Sequence, residues 1–164
     1  MIKTDCKGGL GKQDRRSTYQ IKRPRKMSLL LYVKDQDEAG KCLQRVIEAV
    51  LHPSQMTVFT DKDVLYRRLS KPRDGVNIAV LMASTQQDLE DFLPLADHYW
   101  GLRLILILPD REKETISRGH SLRPRFLTFS DSNFEDVEAV LRKMLEVMDP
   151  EGRSKGVRNR GSCP

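Results

Sequence analysis

Cysteine, histidine and tryptophan are all scarce. Cys6, Cys42 and Cys163 make an odd set of three, two of them near the ends of the chain. No disulfide framework is expected, and the thiols suit a reducing cytoplasm. His52, His98 and His120 lie far apart without ligand spacing, so no metal centre is expected. No Gly-x-Ser-x-Gly occurs, which removes the nucleophile elbow of esterase-type hydrolysis. No apolar run approaches the roughly 18 residues of a membrane span. The N-terminus also lacks the apolar stretch of roughly 7–15 residues that marks a secretory signal. What is left to expect is a cytoplasmic protein without a membrane partner.

What the sequence does have is charge, unevenly placed. Residues 1–26 hold nine lysines and arginines against Asp5 and Asp14, and residues 149–164 hold four against Asp149 and Glu151. The stretch between them holds 16 basic and 19 acidic residues. The pI near 9.3 therefore belongs to the ends. Both ends read as solvated, disordered basic tails, and 27–148 as the single domain that a 164-residue chain allows. The first apolar strand opens at Met27, so 1–26 is expected to be an extension. A tail that grips a polyanion is the route left open to nucleic acid; no base-reading module is visible.

Residues 7–13 in that extension, KGGLGKQ, resemble the phosphate loop of partition-type ATPases. The loop needs a strand before it, a helix after it and a hydroxyl to hold magnesium. Gln13 stands where the hydroxyl belongs, MIKTDC is a poor strand, and QDRRSTYQIKRPRK has no apolar helical face. Nucleotide binding is not expected there.

Residues 27–148 alternate regularly. Strands are expected at 27–33, 56–60, 76–83, 102–108 and 125–129. The intervening helices carry apolar faces at helical spacing. These are Ala39, Cys42, Leu43, Val46, Ile47 and Val50; then Val64, Leu65 and Leu69; then Leu89, Phe92, Leu93, Ala96 and Trp100. A short polar helix follows at 111–119. The last face is Phe134, Val137, Val140, Leu141, Met144, Leu145 and Met148. Asp35 or Asp37 caps the first helix and Thr60 or Asp61 the second. Ser84-Thr85-Gln86-Gln87 and Ser132-x-x-Glu135 have capping-box spacing, and Pro94 loosens the third helix. Strict alternation implies an α/β fold, a three-layer α/β/α sandwich around a five-stranded parallel sheet. Strands 1, 3 and 4 are nearly all apolar and so central, with 2 and 5 as edges. That is the flavodoxin-like order 2-1-3-4-5.

Five such units in this length resemble the receiver domain of bacterial response regulators. LLLYVKDQDEAGKCLQRVIE is similar to a receiver's opening and RFLTFSDSNFEDVEAVLRKML to its close. The resemblance implies a magnesium-binding acidic pair after strand 1, where this chain has Lys34 and Asp35, with Asp37 close by. It implies a phosphoacceptor aspartate closing strand 3, where Met82 stands, followed by Ala83, Ser84 and Thr85. It implies a hydroxyl closing strand 4 and a Lys-Pro pair closing strand 5, at Leu108-Pro109 and Phe129-Ser130. One carboxylate beside a lysine does not supply octahedral oxygen ligands. A thioether is no nucleophile, and the charge stabilisation of phosphoryl transfer is gone too. The chain thus reads as a degenerate receiver without the phosphoacceptor.

The loops beyond the strands' carboxyl ends remain the place for a ligand. They carry Lys34, Asp35, Asp37, Asp61, Asp63, Ser84, Thr85, Gln86, Asp110, Arg111, Asp131 and Ser132. The aspartates read first as helix caps and dipole partners, and Lys34 is placed to tie Asp61 or Asp110. The acidic KDQDEAG would repel a flavin phosphate, so no cofactor is expected. The basic residues Arg111, Lys113, Arg118, Arg123 and Arg125 could form a docking surface for an acidic partner, with Tyr99 and Trp100 as an aromatic anchor. The functional expectation is a non-enzymatic, phosphorylation-independent regulatory or adaptor module that binds an unknown protein partner such as a kinase, regulator or output domain. The competing readings are a small enzyme or nucleotide binder at those loops, and tail-mediated nucleic-acid binding.

Overall fold

The computed structural model describes residues 27–72 and 75–148. The basic extension, the KGGLGKQ segment and the C-terminal tail lie outside the described residues. Five strands alternate with helices: β1 (Ser28–Val33), α1 (Glu38–Glu48), β2 (Met56–Phe59), α2 (Lys62–Leu69), β3 (Val76–Met82), α3 (Gln86–Phe92), β4 (Arg103–Leu108), α4 (Lys113–Ser121), β5 (Phe126–Phe129) and α5 (Glu135–Met148). All strand pairings are parallel, in the order β2-β1-β3-β4-β5. This is the flavodoxin-like arrangement expected from the alternation, with the apolar β1, β3 and β4 in the centre.

Successive residues of a strand face opposite sides of the sheet, so each central strand feeds two cores. Leu30, Tyr32, Leu81, Leu104, Leu106 and Leu108 meet Leu65 and Leu69 of α2, Leu89 and Phe92 of α3, and Leu122 beyond α4. Leu29, Leu31, Val33, Val80, Met82 and Ile107 meet Leu43 and Ile47 of α1 and Val137 and Leu141 of α5. Tyr32 and Phe92 pack edge-on, ring centroids 5.3 Å apart.

Several local expectations are corrected. In α1 the fully buried positions are Gly40, Leu43 and Ile47, and Cys42 is exposed. A residue advances about 100° around a helix, which puts Cys42 beyond the edge of the stripe centred on Leu43. Val64 is exposed beside buried Leu65 for the same reason. Pro94 does more than loosen its helix: α3 stops at Phe92, and Leu93–Tyr99 continues as a 3-10 helix. Proline lacks the N–H that an α-turn needs, and the tighter winding changes the phase. Leu95 and Tyr99 are buried instead of Trp100, which is 71% exposed.

Two caps also differ. The capping box of α3 is Thr85 with Asp88, one residue later than the Ser84–Gln87 spacing suggests. Before α5, Asn133 rather than Ser132 accepts from the Glu135 N–H, at 3.3 Å, and Phe134 is held at φ 59°. The other expectations stand as Asp37 on α1, accepting from Gly40 N at 2.7 Å, and Asp61 on α2, accepting from Asp63 N and Val64 N at 2.7 and 3.2 Å.

Candidate functional site

The loops at the carboxyl ends of β1 and β3 converge on one carboxylate. Asp88, in the first turn of α3, is only 3% exposed. Its Oδ1 accepts from Lys34 Nζ at 2.8 Å, and its Oδ2 accepts from the backbone of Ser84 and Thr85 at 3.2 and 3.0 Å. Its own N–H returns to Thr85 Oγ1 at 3.2 Å. Burial pushes the Asp88 carboxyl pKa up, but the Lys34 ammonium and the Thr85 donors outweigh it and hold the value below the usual aspartate range. The same hydrogen bond raises Lys34 above the ordinary lysine value. Lys34 therefore ties Asp88, not Asp61 or Asp110. Asp88 is the residue that sequence reasoning missed, and its one local signal was Thr85-x-x-Asp88, read one position early.

The other positions around this end are mostly apolar or already engaged. Met82 is 1% exposed and packs in the α1/α5 core, paired in register with Val33 and Ile107. Leu108 is fully buried on the opposite face. Asp37 is occupied as a cap, and exposed Asp35 lies near Lys34, whose pKa it helps raise. The Ser84 hydroxyl is buried without a hydrogen-bond partner among the described residues. Gln86 Nε2 lies 3.4 Å from oxygens of Asp110, Glu112 and Thr115. The Glu112 N–H, then the Thr115 hydroxyl, hold Asp110 below its usual pKa.

Phe129 lies under the Arg111 guanidinium, 4.5 Å from the ring centroid, and Arg111 pairs with Asp131 at 3.0 Å. Arg118 is clamped between Glu90 and Glu114. The five basic residues are thus spread along β4, α4 and β5. Arg111 and exposed Lys113 sit at the carboxyl end of the sheet, Arg118 lies between α3 and α4, and Arg123 and Arg125 sit at the amino end of β5. Among the described residues no group of three or more His, Cys, Asp or Glu is placed to hold a metal ion. No helix among them is long and apolar enough to cross a membrane.

The fold has a counterpart among solved structures. A protein of Burkholderia pseudomallei, provisionally named as pilus assembly-related, superposes with a TM-score of 0.56 at 15% identity, covering 73% of this chain and 89% of its own. At that identity the likeness is one of fold. No protein-family description matches the sequence, and no curated protein does either.

A flavodoxin-like sheet presents its loops for chemistry at the strands' carboxyl ends. Here those loops hold an ion pair, three aspartates engaged as caps or loop acceptors, and buried Met82 and Leu108. Such a set can bind through charge and shape. The nucleophilic thiol or imidazole of covalent catalysis does not stand beside Asp88, whose carboxylate is saturated by Lys34 and two backbone donors.

Proposed function

We propose that this chain is a receiver-like module of bacterial signalling that works without phosphorylation, as a non-enzymatic cytoplasmic adaptor binding another protein. The observation that carries the reading is the Lys34–Asp88 pair, 2.8 Å long, between β1 and the first turn of α3. In a receiver the residues after β1 supply carboxylates to magnesium. Here Lys34 stands at one of those positions, paired with Asp88 of α3, and its positive charge opposes a second cation beside it. Buried Met82 supports the same reading, because the position where a receiver carries its phosphoacceptor is part of the α1/α5 core. The solved neighbour, named as pilus assembly-related, is compatible with an adaptor role in general.

The test is incubation of the full chain with magnesium and acetyl phosphate, read by intact mass, alongside thermal shift with ATP, GTP and flavin mononucleotide. The expected result is an unchanged mass and an unchanged melting temperature, because a bound ligand would stabilise in proportion to ln(1 + [L]/Kd). A mass increment of one phosphoryl group overturns the phosphorylation-independent reading. A saturable nucleotide-dependent rise in melting temperature favours the small-enzyme or nucleotide-binding alternative.

A further inference from the structure

The opposite end of the sheet carries a hollow. Where the chain enters β4 and β5, a groove of about 650 Å³ opens between the turn at Trp100–Leu102 and the connection from α4 to β5. A second hollow of about 330 Å³ shares Gly101 and Arg103 with it and extends it toward Met148. The rim is cationic and aromatic: Arg103, Arg123, Arg125 and the exposed indole of Trp100. The floor is aliphatic, formed by the buried Leu102, Leu104 and Leu122.

Two of the rim arginines are held in place while their charges stay uncommitted. Arg125 N donates to Leu104 O at 2.7 Å, and Arg123 N to His120 O at 2.9 Å. Neither guanidinium has an ion pair or hydrogen bond among the described residues, whereas Arg111, Arg118 and Arg142 are all paired. Arg123 also adopts φ 52°, just after the C-cap of α4, Leu122. That position strongly favours glycine, because a Cβ is strained there. Strained backbone persists only where the surrounding structure over-determines it.

We propose that this groove binds an acidic peptide segment of a partner protein, with an apolar side chain on the leucine floor and carboxylates on Arg123 and Arg125. Guanidinium forks pair with carboxylates through two parallel hydrogen bonds, and Trp and Arg dominate the energetics of protein interfaces. A nucleic-acid strand could meet the rim through its phosphates and stack a base on Trp100, but it offers the leucine floor at most a thymine methyl, where a peptide offers a whole apolar side chain. The chain's own ends are poor occupants, since residues 1–26 and 149–164 are both net basic and like charges repel. The groove lies at the end of the sheet away from Lys34 and Asp88, so this inference stands whether or not those loops take a phosphoryl group.

Trp100 is the single tryptophan of the chain, so its emission reports this groove directly. The probe is an acetylated, amidated hexapeptide, Glu-Phe-Glu-Glu-Phe-Glu, titrated into the full-length protein. Its lysine counterpart and an oligothymidylate of equal charge serve as the other arms. The expected result is a saturable change in Trp100 emission with the acidic peptide alone. Arg125→Ala should weaken binding about tenfold, the loss of one charged hydrogen bond. Arg123→Gly should weaken it similarly while raising the melting temperature, which separates loss of the site from loss of the fold. An unchanged emission, or an affinity insensitive to both substitutions, overturns the proposal and leaves the peptide to the basic ends of the chain. Tighter, emission-linked binding of oligothymidylate overturns it in favour of a nucleic-acid site.

Discussion

A buried carboxylate is stable only if its charge is answered, and Asp88 is answered three times. Two backbone N–H groups and one ammonium reach it, so it both caps α3 and ties β1 to that helix. Asp88→Ala should lower stability by about 1–3 kcal/mol, the range for losing a cap and leaving buried donors unpaired. Chemical denaturation at neutral pH measures it. The pH dependence has a definite sign. Because the folded-state pKa lies below the ordinary aspartate value of 3.8, the carboxylate contributes its stability above that value. The contribution is lost as pH falls through the lowered pKa. The gap in denaturation midpoint between the natural chain and Asp88→Asn should therefore be full at about pH 5 and narrow as pH falls below 3.8. A constant gap would show that the charge contributes nothing. Lys34 was legible as a misplaced cation, but its partner was not. The two are 54 residues apart, and an aspartate in a helix's first turn reads from sequence alone as a dipole partner. Only the approach of β1 to α3 makes it a buried pair.

At the scale of elements, the strands were legible and the faces of the helices less so. Each central strand is a continuous apolar run, and period-2 burial on both sides of a parallel sheet leaves little to misread. Helix faces are wider, and residues at the edge of the stripe, such as Cys42 and Val64, fall outside it by a fraction of a turn. The 3-10 continuation after Pro94 rephased Leu95, Tyr99 and Trp100 together, and that change brought the indole out to the groove. One close approach was hidden in the sequence altogether. A Cβ on Gly40 would come within 2.5 Å of Val33 Cγ1 and 2.7 Å of the Asp35 carbonyl oxygen, so α1 seats against the end of β1 only because that position has no side chain. Helix propensity alone would make Gly40→Ala stabilising. The contact reverses the sign, and the substitution should cost about 1–3 kcal/mol, the usual range for overpacking. A raised unfolding midpoint would contradict the placement of α1.

On the whole-molecule scale, the two ends of a parallel sheet are chemically different surfaces, and here they carry opposite charge. The carboxyl end holds Asp35, Asp37, Asp61, Asp63, Asp88, Asp110 and Asp131 against Lys34, Lys62, Arg111 and Lys113, and the amino end holds Arg67, Arg68, Lys71, Arg103, Arg123 and Arg125. Strand order could be read from the apolar runs, and from it this separation of charge. The identity of a partner could not, because it depends on which side chains remain uncommitted after folding, and the pairs Lys34–Asp88, Lys62–Asp91, Arg111–Asp131 and Arg118–Glu90 all join residues distant in sequence. The proposed function requires the carboxyl end to be closed to phosphoryl chemistry, leaving the scaffold to serve through its surfaces. The most direct test is the amide NMR spectrum of the full chain before and after beryllofluoride and magnesium, which together mimic a bound phosphoryl group. No change is expected at Lys34–Asp37 or Met82–Asp88. Saturable shifts confined to those amides would contradict it.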